Sequence, residues 1–275
     1  MNILSDVRRA LEEDIGSGDV TATLLPHDKL VRAVIISREP MLVCGQAWVE
    51  CAFSEVDSSI SLEWFVTEGS WQASPTTLCE LQGPVQHILT AERTALNFLQ
   101  LLSGTATTVH TYLQQLKGYK TRLLDTRKTI PGLRQAQKYA VSCAGGINHR
   151  MGLYDAFLIK ENHIKACGSI TAAISLANQS KEGLFIEIEV ETLEELQEAL
   201  DAKPDRIMLD NFDINMIETA VIMCKTSPCE LEVSGNVDLS SISAIAHTGV
   251  DYISVGALTK SVRAIDLSLL ISDLP

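Results

Sequence analysis

The sequence predicts an α/β protein that combines a mixed α and β region of about a hundred residues with a parallel α/β barrel of fewer than eight strands. Three observations predict this class. The 275 residues are 46% hydrophobic, which is enough for a sizeable core. Beyond residue 120, six apolar strand candidates alternate with helical segments, the pattern of a parallel sheet. Roughly 140 residues are too few for eight strand–helix units, so we expect a closed or nearly closed barrel with fewer strands. A doubly wound open sheet is the alternative.

The first region begins with a helix and continues with short strands. Apolar residues at helical spacing predict a helix over residues 1–15. Apolar runs broken by glycine and proline predict strands at residues 34–36, 42–43 and 62–66. Thr90 is the predicted N-cap of an apolar helix that ends at Gly104.

The second region shows six strands with helices between them. The strands are predicted to end near Leu124, Ile159, Val190, Leu209, Val233 and Val255. Pro131 suits a first helical turn, and Thr192 with Glu195 has the spacing of a capping box. Asp213 and Asp238 precede two further apolar helical segments.

Composition argues against several classes of protein. The formal net charge of −13 disfavours a nucleic-acid partner or an anionic membrane surface. The chain has no run of about 18 apolar residues, so no membrane span is predicted, and its first residues show no signal-peptide pattern. The seven cysteines are odd in number and contain no CxxC pair, which indicates reduced thiols in a cytoplasmic protein.

Positive charge is concentrated in one part of the chain. Residues 93–165 contain 11 Lys and Arg but only three Asp and Glu, although the whole chain has 22 basic and 35 acidic residues. An acidic protein with half of its cations in about a quarter of its length can hold a small polyanion there. A solvated basic surface is the alternative that this count leaves open.

Polar residues or glycines stand at every predicted strand end of the second region. The six strand ends read Asp125-Thr126-Arg127-Lys128, Lys160-Glu161-Asn162-His163, Glu189, Asp210-Asn211, Ser234-Gly235-Asn236 and Gly256-Ala257. Chemistry in parallel α/β folds collects at the carboxyl ends of the strands. One polar strand end is ordinary loop chemistry, but six on one rim predict a binding site.

The residue types at this rim point to three roles. Four cations can clamp carboxylates or phosphates: Arg127, Lys128, Arg150 and Lys160. Glu189 and Asp210 can hold a divalent cation or face a developing positive charge. The turns at 234–236 and 256–257 can bind phosphate through backbone N–H groups. Surface ion pairs and plain tight turns are the alternatives.

The strand at residues 184–190 carries two carboxylates on one face. Its even positions are apolar, so Glu187 and Glu189 share the opposite face with Phe185. If the outer face packs on helices, both carboxylates point into the barrel. There they must meet cations, a metal or a ligand, because unpaired burial of a charge is costly. The alternative is an edge strand whose polar face is exposed to solvent.

Five segments resemble the quinolinate phosphoribosyltransferase family, also called nicotinate-nucleotide pyrophosphorylases (carboxylating), over nearly the whole chain. They are EDIGSGDVT from Glu13, ERTALNFLQLLSGTAT from Glu92, DTRKTIPGLRQAQKYAV from Asp125, GGINHRMGLYDAFLIKENHI from Gly145 and SVGALTKSVRAIDLSL from Ser254. The resemblance implies an N-terminal α/β sandwich domain over residues 1–107, on which residues 264–275 pack back, and a C-terminal α/β barrel over 108–263. It also implies a homodimer with shared active sites.

The reaction that this resemblance implies joins quinolinate to 5-phosphoribosyl 1-diphosphate with Mg²⁺. It gives nicotinate mononucleotide, diphosphate and CO₂ in NAD biosynthesis. Matching positions place Thr126, Arg127, His149, Arg150 and Lys160 around quinolinate, Arg93 from the partner subunit beside them, and Lys128 on 5-phosphoribosyl 1-diphosphate. They also place Glu189 and Asp210 near the ribose and the metal, directly or through water or substrate, and Ser234, Gly235, Asn236 and Gly256 in the phosphate turns. Lys160, Glu189 and Asp210 are the expected catalytic residues.

Three positions depart from the family pattern, and two other functions are alternatives. Ile130 and Ala144 stand where threonine and glycine are usual, and Lys260 stands where many members have histidine. These departures leave the charged set intact. A barrel lyase or aldolase that uses Lys160 as a Schiff-base amine would leave the arginines and the acidic pair unused. The complete acidic pair argues against a non-catalytic phosphate-binding module.

Overall fold

The computed structural model describes residues 2–26, 28–180 and 183–273. The chain forms two compact units: the first comprises residues up to 110, 131–144 and 261 onward, and the second comprises 111–130 and 145–260. The boundary predicted at 107/108 left residues 131–144 in the second domain. The structure assigns them to the first unit, because the helix they form buries Ala136 and Ala140 in that unit's core.

The first unit is built around a four-stranded antiparallel sheet. Its helices are α1 (Ile3–Ile15), α2 (Gln46–Val56), most of α3 (Val85–Gln115) and α4 (Arg134–Cys143), and its strands are β1 (Leu30–Ser37), β2 (Met41–Leu42), β3 (Ser61–Trp64), β4 (Trp71–Gln72), β5 (Thr76–Pro84) and β12 (Leu267–Asp273). The sheet order is β12-β1-β5-β3, and β2 pairs with β4. The C-terminal strand β12 therefore lies antiparallel to β1.

Helix α3 is longer than the sequence predicts at both ends. Thr90 is not its N-cap: α3 begins at Val85, and the Thr90 hydroxyl lies 2.9 Å from the Gln86 carbonyl oxygen one turn earlier. Gly104 does not end the helix either. A Cβ at Gly104 would lie 2.2 Å from the Arg263 carbonyl oxygen, so glycine is needed for close packing rather than for termination.

The second unit contains a six-stranded parallel sheet. Its strands are β6 (Arg122–Leu124), β7 (Phe157–Ile159), β8 (Ile186–Val190), β9 (Arg206–Asp210), β10 (Glu230–Ser234) and β11 (Tyr252–Ser254), and its helices are α5 (Glu161–Cys167), α6 (Ile170–Ser180), α7 (Leu193–Ala202), α8 (Ile214–Cys224), α9 (Ile242–His247) and α10 (Ala257–Lys260). All six strands were predicted, and each ends within one residue of its predicted position. The α/β class and the parallel sheet are confirmed.

The strand order in this sheet is β6-β11-β10-β9-β8-β7. This is the cyclic order of a barrel that has been opened between its first two strands. In a doubly wound sheet, the order in which successive strands are added would instead reverse at a switch point. Ile147 adds a parallel bridge to Leu124 on the free side of β6.

Among the helix starts predicted after residue 120, those at Thr192 and Asp213 are correct, whereas Asp238 lies three residues before Ser241, the N-cap of α9, and Pro131 does not begin a helix. Thr192 and Asp213 are the N-caps of α7 and α8, and their side chains accept the backbone N–H groups of Glu195 and Met216. Pro131 lies in a turn, and α4 begins only at Arg134. No helix among the described residues is long and apolar enough to cross a membrane.

Candidate functional site

The carboxyl ends of the six parallel strands surround one pocket of about 290 Å³. Nine of the 14 predicted site residues line it: Thr126, Arg127, Lys128, His149, Arg150, Lys160, Glu189, Asp210 and Ser234. Residues that follow both edge strands, β6 and β7, line the same pocket, so the sheet curls around it. This shared pocket supports a nearly closed barrel.

Five predicted residues are not among the residues that line this pocket. Gly235, Asn236 and Gly256 lie in the turns after β10 and β11, and Ala257 is the first residue of α10. Arg93 lies exposed on α3 in the first unit, where its guanidinium is 3.8 Å from the neighbouring Glu92 carboxylate.

Four cations line the pocket, and two of them are guanidinium groups close to each other. Burial lowers the pKa of Arg150, and the nearby positive charge of Arg127 lowers it further. Two guanidinium groups held in one pocket repel each other until an anion lies between them. Because each guanidinium can bind a carboxylate with two hydrogen bonds, the pair suits a dicarboxylate.

An acidic pair lies at the ends of β8 and β9. The Lys160 ammonium group forms an ion pair with the Glu189 carboxylate. Burial raises the pKa of Asp210, the negative charge of Glu189 raises it further, and Lys160 and Lys128 oppose this rise. The Asp210 carboxylate is therefore destabilised without ligand, and an added cation would stabilise it.

The segment that carries His149 and Arg150 is held by a buried carboxylate. Asp125, at the end of β6, is fully buried. Its oxygens accept hydrogen bonds from the Asn148 side-chain amide at 2.7 Å and from the His149 backbone N–H at 2.8 Å. This anchoring sets where Arg150 enters the pocket relative to β6.

The turn after β11 lies close to the turn after β6. A Cβ at Gly256 would lie 3.1 Å from Lys128 Cδ, so the Lys128 side chain would have to shift by a few tenths of an ångström. The Thr259 hydroxyl donates a hydrogen bond of 2.7 Å to the Lys128 carbonyl oxygen. Glycine at position 256 therefore lets the Lys128 side chain lie against the β11 turn.

Below the pocket, the interior of the barrel holds a buried cluster of charged side chains. His149 Nε2 lies 2.8 Å from Glu187 Oε2 and 3.7 Å from Glu232 Oε2. Arg206 Nη1 lies 3.3 Å from Glu232 Oε2, and its guanidinium lies 3.9 Å from the ring centroid of Tyr252. Both carboxylates are almost fully buried. Glu187 thus points into the barrel and meets charged and polar partners, as its strand pattern indicated.

Sequence reasoning missed Glu232 and Arg206, as well as the lining residues Leu158, Met208 and Ser254. A signal for Glu232 was available. Glu230 and Glu232 alternate with apolar residues in β10 in the same way as Glu187 and Glu189 do in β8. Nothing in the local sequence of Arg206 shows that its side chain contacts Glu232 in the neighbouring strand β10.

The substitution Glu232→Gln is expected to flatten the pH dependence of stability. Burial and the neighbouring Glu187 charge raise the pKa of Glu232 from 4.5 to about 8. Between these values the folded protein keeps a proton that the unfolded chain has released, so the wild-type free energy of unfolding falls as pH rises. The slope from this one group reaches at most about 1.4 kcal/mol per pH unit. Urea unfolding from pH 5 to 8 measures it.

The exposed carboxyl Glu218 on α8 provides the control for this experiment. Glu218→Gln makes the same chemical change and should keep the wild-type slope. A Glu232→Gln profile parallel to wild type would contradict the assigned burial cost of the Glu232 charge.

Comparison with known proteins gives matches over nearly the whole chain. The family model "Quinolinate phosphoribosyl transferase, C-terminal domain" matches residues 105–270, and the model of the N-terminal domain matches residues 19–103. A probable nicotinate-nucleotide pyrophosphorylase (carboxylating) from Bacillus subtilis is 39% identical and covers 94% of this chain and 89% of its own. A mitochondrial quinolinate phosphoribosyltransferase (decarboxylating) from Nicotiana tabacum is also 39% identical, over 96% of this chain and 80% of its own.

A solved structure agrees with these sequence matches. The nicotinate-nucleotide pyrophosphorylase from Francisella tularensis superimposes with a TM-score of 0.96 and 49% sequence identity. The match covers 98% of this chain and 96% of that one. The likeness therefore extends through both units.

Proposed function

The chain belongs to the quinolinate phosphoribosyltransferase family, and on this premise we propose that it transfers the phosphoribosyl group of 5-phosphoribosyl 1-diphosphate to quinolinate with loss of CO₂. The products are nicotinate mononucleotide, which is a precursor of NAD, diphosphate, which leaves from 5-phosphoribosyl 1-diphosphate, and CO₂. One observation carries the proposal: four cations and an acidic pair line a single pocket at the strand ends. That charge pattern suits two anionic substrates whose reaction passes through a cationic ribose.

The cations offset the repulsion between the two substrates. Quinolinate carries two carboxylates and 5-phosphoribosyl 1-diphosphate carries three phosphate groups. Arg127 and Arg150 line the same pocket, and each guanidinium can bind one carboxylate with two hydrogen bonds. Lys128 and the turn that begins at Gly256 meet at one edge of the pocket, which suits a phosphate.

The acidic pair acts on the ribose. When the bond between C1′ and the diphosphate oxygen breaks, that oxygen keeps the electron pair and positive charge develops at C1′. Glu189 and Asp210 are the carboxylates in the pocket that can stabilise this charge. The pyridine nitrogen of quinolinate then supplies the electron pair of the new bond to C1′.

Decarboxylation follows on the pyridinium ring. The bond to the 2-carboxylate breaks, CO₂ leaves, and the electron pair stays on ring carbon 2 until a proton from solvent replaces the lost group. Lys160 is the pocket cation placed beside the acidic pair, through its ion pair with Glu189. Its charge is suited to stabilise negative charge at that carbon.

Mg²⁺ is the metal that the family resemblance implies, and the donor set fits it. Glu189 and Asp210 are oxygen donors in one pocket, and the charge of Glu189 contributes to the raised pKa of Asp210. Mg²⁺ favours one or two carboxylates together with substrate phosphates. These two residues would hold it, and the bound ion would offset the charge of the departing diphosphate.

A three-substrate assay tests the proposed function. The purified chain is mixed with Mg²⁺, 5-phosphoribosyl 1-diphosphate and either quinolinate, nicotinate or nicotinamide, and diphosphate and CO₂ are measured. We expect release of both products with quinolinate only, and no release after metal removal by a chelator. Turnover with nicotinate but not with quinolinate would overturn the carboxylating assignment.

We also propose that the enzyme is a cytoplasmic homodimer in which Arg93 serves the partner's pocket. The support is the family resemblance around Glu92 and the exposed position of Arg93 on α3. Mixing an Arg93→Ala chain with a Lys160→Ala chain should restore activity, because a mixed dimer has one pocket with both residues intact. Random exchange at equal amounts predicts about a quarter of wild-type activity. No recovery despite proven subunit exchange would contradict the shared site.

A further inference from the structure

The turns that follow β9 and β10 both use left-handed backbone. Asn211 has a φ of 57°, Gly235 a φ of 97° and Asn236 a φ of 49°. Residues other than glycine rarely adopt this conformation, and asparagine is one of the few that tolerate it. Two such asparagines beside one pocket are a strained arrangement, of the kind that concentrates at functional sites.

The side chain of Asn211 connects the two turns. Its Nδ2 donates a hydrogen bond of 2.9 Å to Asp210 Oδ2, and its Oδ1 accepts one of 3.3 Å from Asn236 Nδ2. Its backbone N–H donates to the Ser234 carbonyl oxygen at 3.0 Å. A carboxamide has its donor on one side and its acceptor on the other, so these contacts together set its orientation.

The backbone of Gly235 lies close to the Asn211 side chain. A Cβ at Gly235 would lie 2.3 Å from Asn211 Oδ1 and 2.8 Å from Asn211 Cγ. Only glycine lets the backbone of the β10 turn approach the Asn211 amide so closely. The carboxamide is thus enclosed between Asp210 on one side and the 234–236 turn on the other.

We propose that Asn211 is a positioning residue that couples the phosphate turn at 234–236 to the orientation of the Asp210 carboxylate. Phosphate bound at the turn would fix Asn236 and Gly235, and through the Asn211 amide this fixes Asp210 against the ribose. The inference rests on the proposed function, because it assigns Asn211 a role in the same phosphoribosyl transfer. Asn211 itself need not touch the substrate.

A purely structural role for Asn211 makes a different prediction. If asparagine stands at position 211 only because it tolerates the left-handed backbone, glycine should replace it without loss. Aspartate keeps the size and much of the turn preference of asparagine, but it replaces the Nδ2 donor with an oxygen that faces Asp210. The two substitutions therefore separate the backbone from the side-chain contacts.

Steady-state kinetics of Asn211→Gly and Asn211→Asp test the proposal, with quinolinate and 5-phosphoribosyl 1-diphosphate varied separately. We expect kcat to fall about tenfold to a hundredfold in both variants, the effect of losing a hydrogen bond to a charged group. The KM for quinolinate should change less than about threefold, because its cationic partners are untouched. Asn236→Gly removes the hydrogen bond from Asn236 to Asn211 but keeps the contact between the Asn211 backbone N–H and the Ser234 carbonyl oxygen. It should therefore give a smaller loss of kcat.

Asn215→Asp on α8 is the matched control, since it makes the same change at an exposed asparagine four residues away. It should keep wild-type kcat, and thermal unfolding of all variants shows that they are folded. A kcat within twofold of wild type for Asn211→Gly would overturn this inference alone. A wild-type chain that does not turn over quinolinate would overturn the proposed function and this inference with it.

Discussion

Replacing Arg206 with alanine is expected to lower the free energy of unfolding by about 3–5 kcal/mol, the typical effect of breaking a buried ion pair. Arg206 Nη1 lies 3.3 Å from Glu232 Oε2, and Nη2 lies 2.8 Å from Glu230 Oε2. Without the guanidinium, Glu187 and Glu232 remain buried and close together with less compensating positive charge. Urea unfolding measures the loss. It is carried out at pH 8.5, because the pKa of Glu232 is about 8 and its carboxylate is mostly ionised above that pH.

An exposed ion pair in the same unit provides the control for Arg206→Ala. Lys165 pairs with Glu161 one turn away on α5, and both side chains are more than half exposed. Lys165→Ala should change stability by less than about 1 kcal/mol. A loss as small as this for Arg206→Ala would show that the barrel interior does not depend on Arg206 to hold its carboxylates.

The rim of the pocket could be predicted from sequence because strand ends can be recognised locally and the ends of parallel strands lie together. A strand is recognised by its apolar run, and the first polar residue after it, such as Lys160 after Ile159, marks the carboxyl end. In a parallel sheet all carboxyl ends face one rim, so a list of strand ends is already a list of neighbours. Glu189 and Asp210 were brought together in this way without knowledge of any distance.

Features that depend on contacts between distant residues could not be predicted in the same way. Gly104 resembles a helix terminator, but it lies inside α3, and the close approach of the Arg263 backbone, 159 positions later, explains why glycine stands there. Helix α4 has the pattern expected of a barrel helix, yet Ala136 and Ala140 pack in the core of the first unit. Local patterns indicate which face of a helix is apolar, but they do not identify what covers it.

The interior cluster shows the same limit at the site itself. The alternation in β8 predicted that Glu187 points inward. The free-energy cost of burying an unpaired charge predicted that its carboxylate needs partners. Those partners are His149, before β7, and Arg206, at the start of β9. Which cation or imidazole meets a buried carboxylate depends on strand register and on side-chain length, and neither is encoded in the spacing of one segment.

Replacing Lys160 with alanine is expected to lower kcat at least a hundredfold, by analogy with the loss of about 10²–10³ when one electrostatic donor is removed from an active site. Lys160 forms an ion pair with Glu189 and partly offsets the negative charge at Asp210. Its loss removes the cation proposed to stabilise the decarboxylated ring carbon, and it leaves the acidic pair less compensated. Diphosphate and CO₂ release with saturating quinolinate measures the effect.

Lys160→Arg separates the charge of Lys160 from its amine. Arginine keeps the positive charge but cannot form a Schiff base, so the proposed mechanism predicts that this variant retains more activity than Lys160→Ala. Borohydride should trap no substrate adduct on the wild-type enzyme during turnover. A trapped adduct at Lys160, together with an Arg variant as inactive as the Ala variant, would indicate amine catalysis and contradict the charge-stabilisation role. The charge role predicts that Lys160→Arg is more active than Lys160→Ala, whereas amine catalysis predicts that both variants are equally inactive. The assignment of Lys160 therefore depends on comparing the two variants and not on the size of either loss.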